Sequence, residues 1–333
     1  MYRALNSKLY VDTVDWRPTA SVESLRLRAQ MLTNIRRFFA ERNIWEVETP
    51  LLSQHTVTDT HIESFKTVYR KNGISQHYYL QTSPEYAMKR LLAAGSGAIY
   101  QICKAFRNAE NSGRHNPEFS ILEWYRPNFN HHQLMSEVEE LIADILKTPT
   151  AKRISYSELF QRHLKIDPHL VSIDTLQQLC RDNVNLSQST LTTIEKDDCL
   201  DLLMSHIIEP TLGFNQPIFI YDYPASQAAL SVIRHEHPPV AERFELYIQG
   251  IELANGFNEL TNAKEQIQRF QHNLIQRKQQ NYPTVEIDPY LIAALQHGLP
   301  PCAGVALGLD RLFMLALGVK NIQKTLTFCW DKA

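Results

Sequence analysis

The stretch from Phe106 to Tyr125 constrains this 333-residue chain more than any other, because it sets an arginine, a polar loop and an aromatic, acidic strand in close succession. Arg107 is followed by a polar run, then by Arg114-His115-Asn116-Pro117-Glu118-Phe119 and Glu123-Trp124-Tyr125. The pattern predicts strand, loop, strand. Residues two apart share a strand face, so Phe119, Ile121, Glu123 and Tyr125 line one side, and Ser120, Leu122 and Trp124 the other. A ring such as Phe119 can stack on a purine, Arg107 can hold a phosphate by two hydrogen bonds, and Glu123 with Tyr125 can receive a cation. A half-buried hairpin with Phe119 in the core and solvated charges would alternate in the same way. This segment alone does not separate the two.

With 44% hydrophobic and 21% charged residues, the chain can bury a large core, as one big domain or a domain with an insertion. The 34 basic and 36 acidic residues leave a formal charge of −2. No global positive field draws such a chain to nucleic acid or to an anionic membrane, and any nucleic-acid contact would be local. The five cysteines, Cys103, Cys180, Cys199, Cys302 and Cys329, are scattered and contain no Cys-x-x-Cys pair. That usage fits reduced thiols in a cytoplasm, not a disulfide framework or a zinc site. No apolar run approaches the roughly 18 residues of a spanning helix, and nothing reads as a targeting segment, so a cytoplasmic location is expected.

Residues 1 to 20 lack periodicity and are expected to form an arm. Ser21 is a plausible helix cap, because Leu25, Ala29, Leu32, Ile35 and Phe39 recur at helical spacing, and this helix should end near Asn43. Ile44 to Leu52 reads as a short alternating strand stopped by Pro50. A strand over Tyr78 to Gln81 and a helix over Tyr86 to Ala94 flank Thr82-Ser83-Pro84-Glu85. Residues 130–210 carry mainly helical patterns without candidate chemistry and read as a helical insertion. Strands return from Pro217, and a polar helix is expected from about Asn262 to Gln280. His131-His132 and His235-Glu236-His237 lack a convincing ligand set and read as surface residues.

A second constellation follows from hairpin geometry. Between Arg243 and Phe257, the pair Gln249-Gly250 fits a two-residue turn. That register sets Tyr247 opposite Glu252 and Glu245 opposite Ala254. Glu245 and Glu252 then become diagonal neighbours, roughly 7–8 Å apart at the backbone. Two such carboxylates repel unless a cation lies between them, and Mg²⁺ takes one or two carboxylates with phosphate oxygens completing its shell. Taken alone, two glutamates on a solvated sheet face are common. Glu259 falls off the alternation, so a bulge near Gly256 would be needed to aim it at the same site. A third constellation, Gly304 to Leu315, places Gly308 where strand gives way to helix and Arg311 in the first helical turn, which already favours an anion. A glycine-spaced turn of this kind is weak by itself and gains weight from the other two.

Together these segments resemble the signature motifs of the class II aminoacyl-tRNA synthetases. Arg42 to Leu52 is similar to the first motif, Phe106-Arg107 through Glu123 to the second, and Gly304 to Arg311 to the third. Thr82-Ser83-Pro84-Glu85, Arg114 to Phe119 and Glu252-Leu253-Ala254-Asn255-Gly256-Phe257-Asn258-Glu259-Leu260 point to the lysyl branch. The resemblance implies an α+β fold over residues 21–333: a mainly antiparallel sheet flanked by helices, with residues 130–210 as the insertion. It also implies a homodimer built on the first motif. About twenty unpatterned residues precede the first helix, too few for the N-terminal anticodon-binding barrel of lysyl-tRNA synthetases. The nearest resemblance is therefore to the freestanding paralogues of that enzyme, which join (R)-β-lysine, or lysine, to a lysine of elongation factor P, with no tRNA and no membrane.

That resemblance implies adenylation followed by acyl transfer, with ATP and Mg²⁺. Arg107 would lie on the α-phosphate and Arg311 on the γ-phosphate, as the catalytic pair. Asn116 and Phe119 would lie at the adenine, with Leu253 and Gly308 also lining the nucleotide site. Glu245 and Glu252 would hold the metal. Glu123, Tyr125 and Glu259 would surround the substrate's ε-ammonium, with Ser83, Pro84 and Glu85 at its other end and Asn255 and Ala306 beside it. Ala306 stands where lysyl-tRNA synthetases usually have glycine, a methyl that would disfavour the α-amino arrangement by ~1–3 kcal/mol. The second motif departs from its usual Phe-Arg-x-Glu, since Ala109 takes the glutamate's place and Glu110 follows one position later. Two alternatives stay open: a minimal tRNA-charging enzyme with a local basic face, and an inactive paralogue serving as a binding module.

Overall fold

The structure, a computed structural model, describes residues 15–184 and 194–333. Most of the expected N-terminal arm, residues 1–14, lies outside the described residues, and its end is tied down by Thr19 N–H to Thr327 O and Ala20 N–H to Leu326 O. Helix α1 (Val22–Glu41) starts where the Ser21 hydroxyl accepts from the Ser24 N–H, and it buries Met31, Ile35, Phe38 and Phe39. The long sheet runs β1 (Trp45–Glu46), β5 (Ile99–Phe106), β6 (Glu118–Pro127), β12 (Cys302–Gly308), β11 (Ile251–Asn258), β10 (Val240–Ile248), β8 (Ile218–Pro224), β7 (Lys152–Ser155), with β9 (Ile233–Arg234) beside β10. Its pairs are antiparallel except β1 with β5 and β7 with β8. A small second sheet holds β2 (Leu52–Ser53), β3 (Lys66–Lys71) and β4 (Ile74–Leu80).

Alternation along the strands gives the long sheet two faces. Leu122, Trp124, Ala303, Val305, Leu307, Phe244 and Leu246 point to a back face, where they pack with α1, α3 (His131–Leu146) and α9 (Leu309–Leu317). The front face is covered at its two ends. At one end α2 (Glu85–Ala93), α7 (Ala263–Gln279) and α8 (Pro289–Gly298) pack on Ile99, Tyr125 and Cys302. At the other, α4 (Tyr156–Leu164), α5 (Ile173–Asn183) and α6 (Lys196–Leu203) pack on Ile218, Ile220, Tyr223 and Tyr247. The middle of the front face is left to polar residues. Within residues 130–210, α3 packs on the back of the long sheet and β7 lies in the sheet itself.

Four local expectations are corrected. Ile44 to Leu52 is not one strand: Trp45–Glu46 joins the long sheet, Leu52–Ser53 joins the small one, and the chain crosses between them through Pro50. Glu245 lies opposite Asn255, not Ala254, because the β10–β11 register shifts between Leu246 and Tyr247. The bulge that this shift requires is therefore at Leu253, not near Gly256. His131 is buried, at 2% exposure, with its ring 3.8 Å from Asp222, since it opens α3 beneath the edge of the sheet. The Gln249-Gly250 turn does form, both residues at positive φ (52° and 68°), as a two-residue hairpin of this twist demands.

Asp310 ties three elements together. Its Oδ1 accepts from Arg28 Nη1 of α1 at 2.5 Å and its Oδ2 from the Ser120 N–H of β6 at 2.7 Å, while Arg28 Nη2 donates to Ser120 Oγ at 2.8 Å. Asp310 is 2% exposed. Asp310→Ala leaves a largely buried guanidinium without its counter-charge and a strand N–H without its acceptor, so it is expected to cost about 3 kcal/mol. Urea denaturation followed by circular dichroism measures this, and a loss under about 1 kcal/mol would mean that the network is a solvated one.

Candidate active site

The bulge organises the site. At Leu253 and Ala254 two consecutive residues turn to the back face, where both join the core, so the alternation restarts on the opposite phase. Glu252 before the bulge and Asn255, Phe257 and then Glu259 after it therefore share the front face. Across the sheet, Gln101, Glu123, Ala306, Asn255 and Glu245 follow one another as paired residues, a polar row on five strands. The next row is Ile99, Tyr125, Gly304, Phe257 and Arg243. Gly304 has to be glycine, because a Cβ there would collide with the Tyr125 ring and Glu259 Oε1.

One end of the site is acidic and dry. Lys89, 1% exposed, reaches from α2 with Nζ 2.7 Å from Glu85 Oε1 and 2.6 Å from Glu259 Oε2. Glu123 Oε1 accepts from the Tyr125 hydroxyl at 2.7 Å, and its buried Oε2 has no hydrogen-bond partner among the described residues. Burial pushes the Glu123 carboxyl up to about 8, with repulsion from Glu85 adding to it. Burial likewise raises Glu259 to about 7 against the pull of Lys89. Burial opposes the Lys89 charge, yet Glu259 and Glu85 carry its pKa above the ordinary value. Two carboxylates thus pair with one ammonium, and a third, Glu123, is buried nearby without a cation of its own. Of the other residues expected here, Pro84 caps α2, Ser83 Oγ accepts from the Glu85 N–H at 3.3 Å, and Asn255 Oδ1 accepts from Arg243 Nε at 3.3 Å. Ala306 sits between Glu123 and Asn255.

The opposite end is rich in arginine. Arg311, in the first turn of α9, donates from Nη1 to the Glu252 carbonyl at 2.8 Å and to Glu252 Oε2 at 3.2 Å, and its Nη2 lies 2.7 Å from His115 Nε2. His115 is held neutral: burial, then Arg311, Arg107 and Arg114, depress its pKa to about 4. Its Nε2 can then accept from the guanidinium while Nδ1–H donates to Ser112 Oγ, 2.8 Å away. The Arg107 guanidinium lies 5.2 Å from the Phe119 ring centre, and its buried Nε has no partner among the described residues. Ala109 takes a left-handed φ of 62° that brings Glu110 to within 3.8 Å of Arg107. Gly308 caps α9, and a Cβ there would touch the Arg311 side chain at an ordinary 3.6 Å.

Between these ends sit Glu245 and Glu252. Glu245 accepts from the Tyr223 and Tyr247 hydroxyls, each at 2.6 Å, and pairs with Arg243. Burial and the Glu245 charge raise the Glu252 carboxyl, and burial with both of them raises Glu209 to about 7. Among the described residues no three histidine, cysteine or acidic side chains form a metal cage. Two of the sequence candidates stand apart. Asn116 is occupied, its Nδ2 donating to Glu118 O at 2.5 Å and its Oδ1 accepting from the Trp330 N–H at 3.2 Å. The Leu253 side chain is in the core, which leaves only its backbone to the front face. The sequence reading missed Lys89, Arg243, Tyr223 and Glu209. Lys89 was available as the i+4 partner of Glu85, whereas Tyr223 and Glu209 come from distant elements.

The charge imbalance makes stability depend on pH. Glu123, Glu259 and Glu209 have folded values of about 8, 7 and 7 against 4.5 for an ordinary glutamate. The folded state therefore holds more protons than the unfolded chain, and stability is lost as pH rises through those values. His115 acts in the opposite sense only between about 4 and 6.5. Scanning calorimetry should show the melting temperature of the ligand-free protein falling from pH 6.5 to 8.5, with a shallower fall in Glu123→Gln. A melting temperature that rises over that window would contradict this electrostatic picture.

Known proteins resemble the chain over nearly its whole length. The family described as tRNA synthetases class II (D, K and N) matches residues 5–332. An elongation factor P–(R)-β-lysine ligase of Salmonella paratyphi A is 48% identical over 324 residues, 97% of this chain and 99% of its own length. Proteins of the same description from Vibrio vulnificus and Edwardsiella ictaluri are 50% and 47% identical, over 94% and 97% of this chain and 98% and 99% of their own lengths. The predominantly antiparallel sheet, the arginine at the strand-to-helix junction and this breadth of match agree: the chain belongs to the class II (D, K and N) tRNA synthetase family.

Proposed function

We propose that this protein is an ATP-dependent ligase that activates (R)-β-lysine as its adenylate and transfers the acyl group to the ε-amino group of a lysine of elongation factor P. The observation that carries this reading is the buried Glu123 oxygen without a partner, beside an ammonium already taken up by Glu85 and Glu259. Such a pocket favours a cationic ligand over protons alone, and a substrate with two amino groups supplies one. The curated relatives carry this activity in their description at 47–50% identity, and no helix among the described residues is long and apolar enough to cross a membrane. A cytoplasmic location fits this reading.

The roles follow from the charges. Arg107, its Nε free, receives the α-phosphate, and Arg311 the γ-phosphate, with neutral His115 orienting the Arg311 fork. Phe119 offers the adenine a stacking face already backed by Arg107. Asn116 shapes that pocket through Glu118 and Trp330, Leu253 offers its backbone, and Gly308 lies without a side chain against Arg311. Glu123 with Tyr125 receives the ε-ammonium, aided by Glu259. Glu85 on the Ser83-Pro84 turn receives the second ammonium, while Asn255 and Ala306 line the floor. Glu245 and Glu252 fit Mg²⁺: two mutually repelling carboxylates, with no third close enough to form a cage, suit an ion that arrives with phosphate oxygens. That ion would offset phosphate charge.

The substrate carboxylate attacks the α-phosphorus, pyrophosphate leaves, and an acyl-adenylate forms. Arg107 lowers the repulsion between the two anions, and the pocket holds the carboxylate in line. The acceptor lysine, as free amine, then attacks the carbonyl carbon, AMP leaves and an amide results. The same proposal includes a homodimer through α1 and the following segment, where Trp45 stands 66% exposed. It includes no role for tRNA.

Mass spectrometry of elongation factor P incubated with this protein, ATP, Mg²⁺ and (R)-β-lysine should show one lysyl-sized gain, larger than with α-lysine. Charged tRNA with an unmodified factor would instead support a minimal synthetase, and neither product with no ATP consumed would support a binding module. Arg311→Ala should lower kcat/KM by about 10²-fold or more, since a charged phosphate contact is removed. Ala306→Gly should narrow the β-over-α preference by roughly 10-fold, in ATP–pyrophosphate exchange with each isomer.

A further inference from the structure

The side chain that the proposed chemistry leaves unused is Lys89. It projects from α2 into the acidic end, is 2% exposed at the side chain, and lies within 2.7 Å of Glu85 and 2.6 Å of Glu259, whose own side chain is 1% exposed. A buried ion pair that served folding alone would match its charges one to one. Here one ammonium faces Glu85, Glu259 and, beyond them, Glu123 with a bare buried oxygen. An unmade hydrogen bond of that kind works against folding, and burial of a repelling trio more so. Without a ligand the arrangement is relieved by protons, and a further ammonium would replace them.

We propose that Lys89 is a built-in positioning cation which fixes the charge of the amino-acid pocket. Once all three carboxylates are ionised around a bound cation, one ammonium leaves two negative charges, and two are what a diamino acid neutralises with its pair of ammonium groups. Lys89 draws Glu259 toward its charged form against the effect of burial and fixes it beside Tyr125, in the space that Gly304 keeps clear. Glu259 thereby acts on the substrate through Lys89, while Glu123 and the outer oxygen of Glu85 carry the charges the substrate meets. A monoamino acid would leave one of those two carboxylates buried and unpaired, so the pocket discriminates by counting charge as well as by shape. This inference rests on the ligase reading above and names the device by which that site selects its amino acid.

The test is ATP–pyrophosphate exchange by the full-length protein, with KM measured separately for ATP and for (R)-β-lysine and α-lysine. Lys89→Met should raise the amino-acid KM by roughly 30-fold or more, as expected for truncating one member of a buried charge pair, and change the ATP KM by less than about threefold. Lys89→Met alone leaves Glu259 buried without its partner and can unfold the helix–sheet contact. The double variant Lys89→Met/Glu259→Gln removes both members and restores two negative charges. It should recover about tenfold of the lost amino-acid affinity and keep rejecting norleucine, which carries a single ammonium. Wild-type protein without amino-acid-dependent exchange would overturn the ligase reading itself. Wild-type exchange with an unaffected Lys89→Met, a double variant no better than the single one, or an ATP KM that rises in parallel would overturn the role of Lys89 alone.

Discussion

A single extra residue in β11 decides where the chemistry of this fold can lie. Without the bulge at Leu253, strict alternation would put Glu252 on the front of the sheet and Asn255, Phe257 and Glu259 on the back, among the side chains of α1 and α3. Burying those polar groups there would cost several kcal/mol each. With it, two apolar residues go to the core in succession, and Glu252, Asn255 and Glu259 all come forward. The same shift sets Asn255, rather than Ala254, against Glu245. The acidic pocket, the polar row and the carboxylate pair are joined into one site by this one irregularity.

The site is then polarised by what packs at its ends. Helices α2, α7 and α8 exclude water from Glu123, Glu259 and Lys89, and the apolar cluster under α4 to α6 does the same for Tyr223, Tyr247 and Glu245. In such surroundings charge interactions are strong, and uncompensated carboxylates take protons. Arginines gather where phosphates would lie, and His115 stays neutral among them. An amino acid carrying ammonium at one end and carboxylate at the other meets opposite fields at each, which orients it before any chemistry occurs.

Much of this was legible in the chain because it rests on short-range rules. The Ser21 cap, the β5–β6 hairpin faces, the Gln249-Gly250 turn and Arg311 in the first turn of α9 each follow from spacing within a few residues. The bulge was needed but misplaced, since its cause is the burial of Leu253 and Ala254 against helices far away in sequence. Lys89 stood in view at helical spacing from Glu85. Its bond to Glu259, 170 positions later, did not, because only the tertiary fold brings α2 over the end of β11. Asn116 shows the converse: the string that contains it was recognised, while its engagement with Trp330 depends on where the C-terminal segment lies.

The Arg28–Asp310–Ser120 network adds a mechanical side to the same design. Asp310 and Arg311 are adjacent at the start of α9, so the residue that fixes α9 against α1 and β6 also sets the direction in which the neighbouring guanidinium leaves the helix. Arg28 belongs to α1, which leads directly into Arg42 to Leu52, the segment that resembles the first motif. A displacement of α1 would reach Asp310, and so the neighbouring Arg311, through the Arg28 ion pair. The pair couples these elements because Asp310, 2% exposed, cannot exchange Arg28 for water. Packing of α1 and the aim of Arg311 are therefore one structural variable.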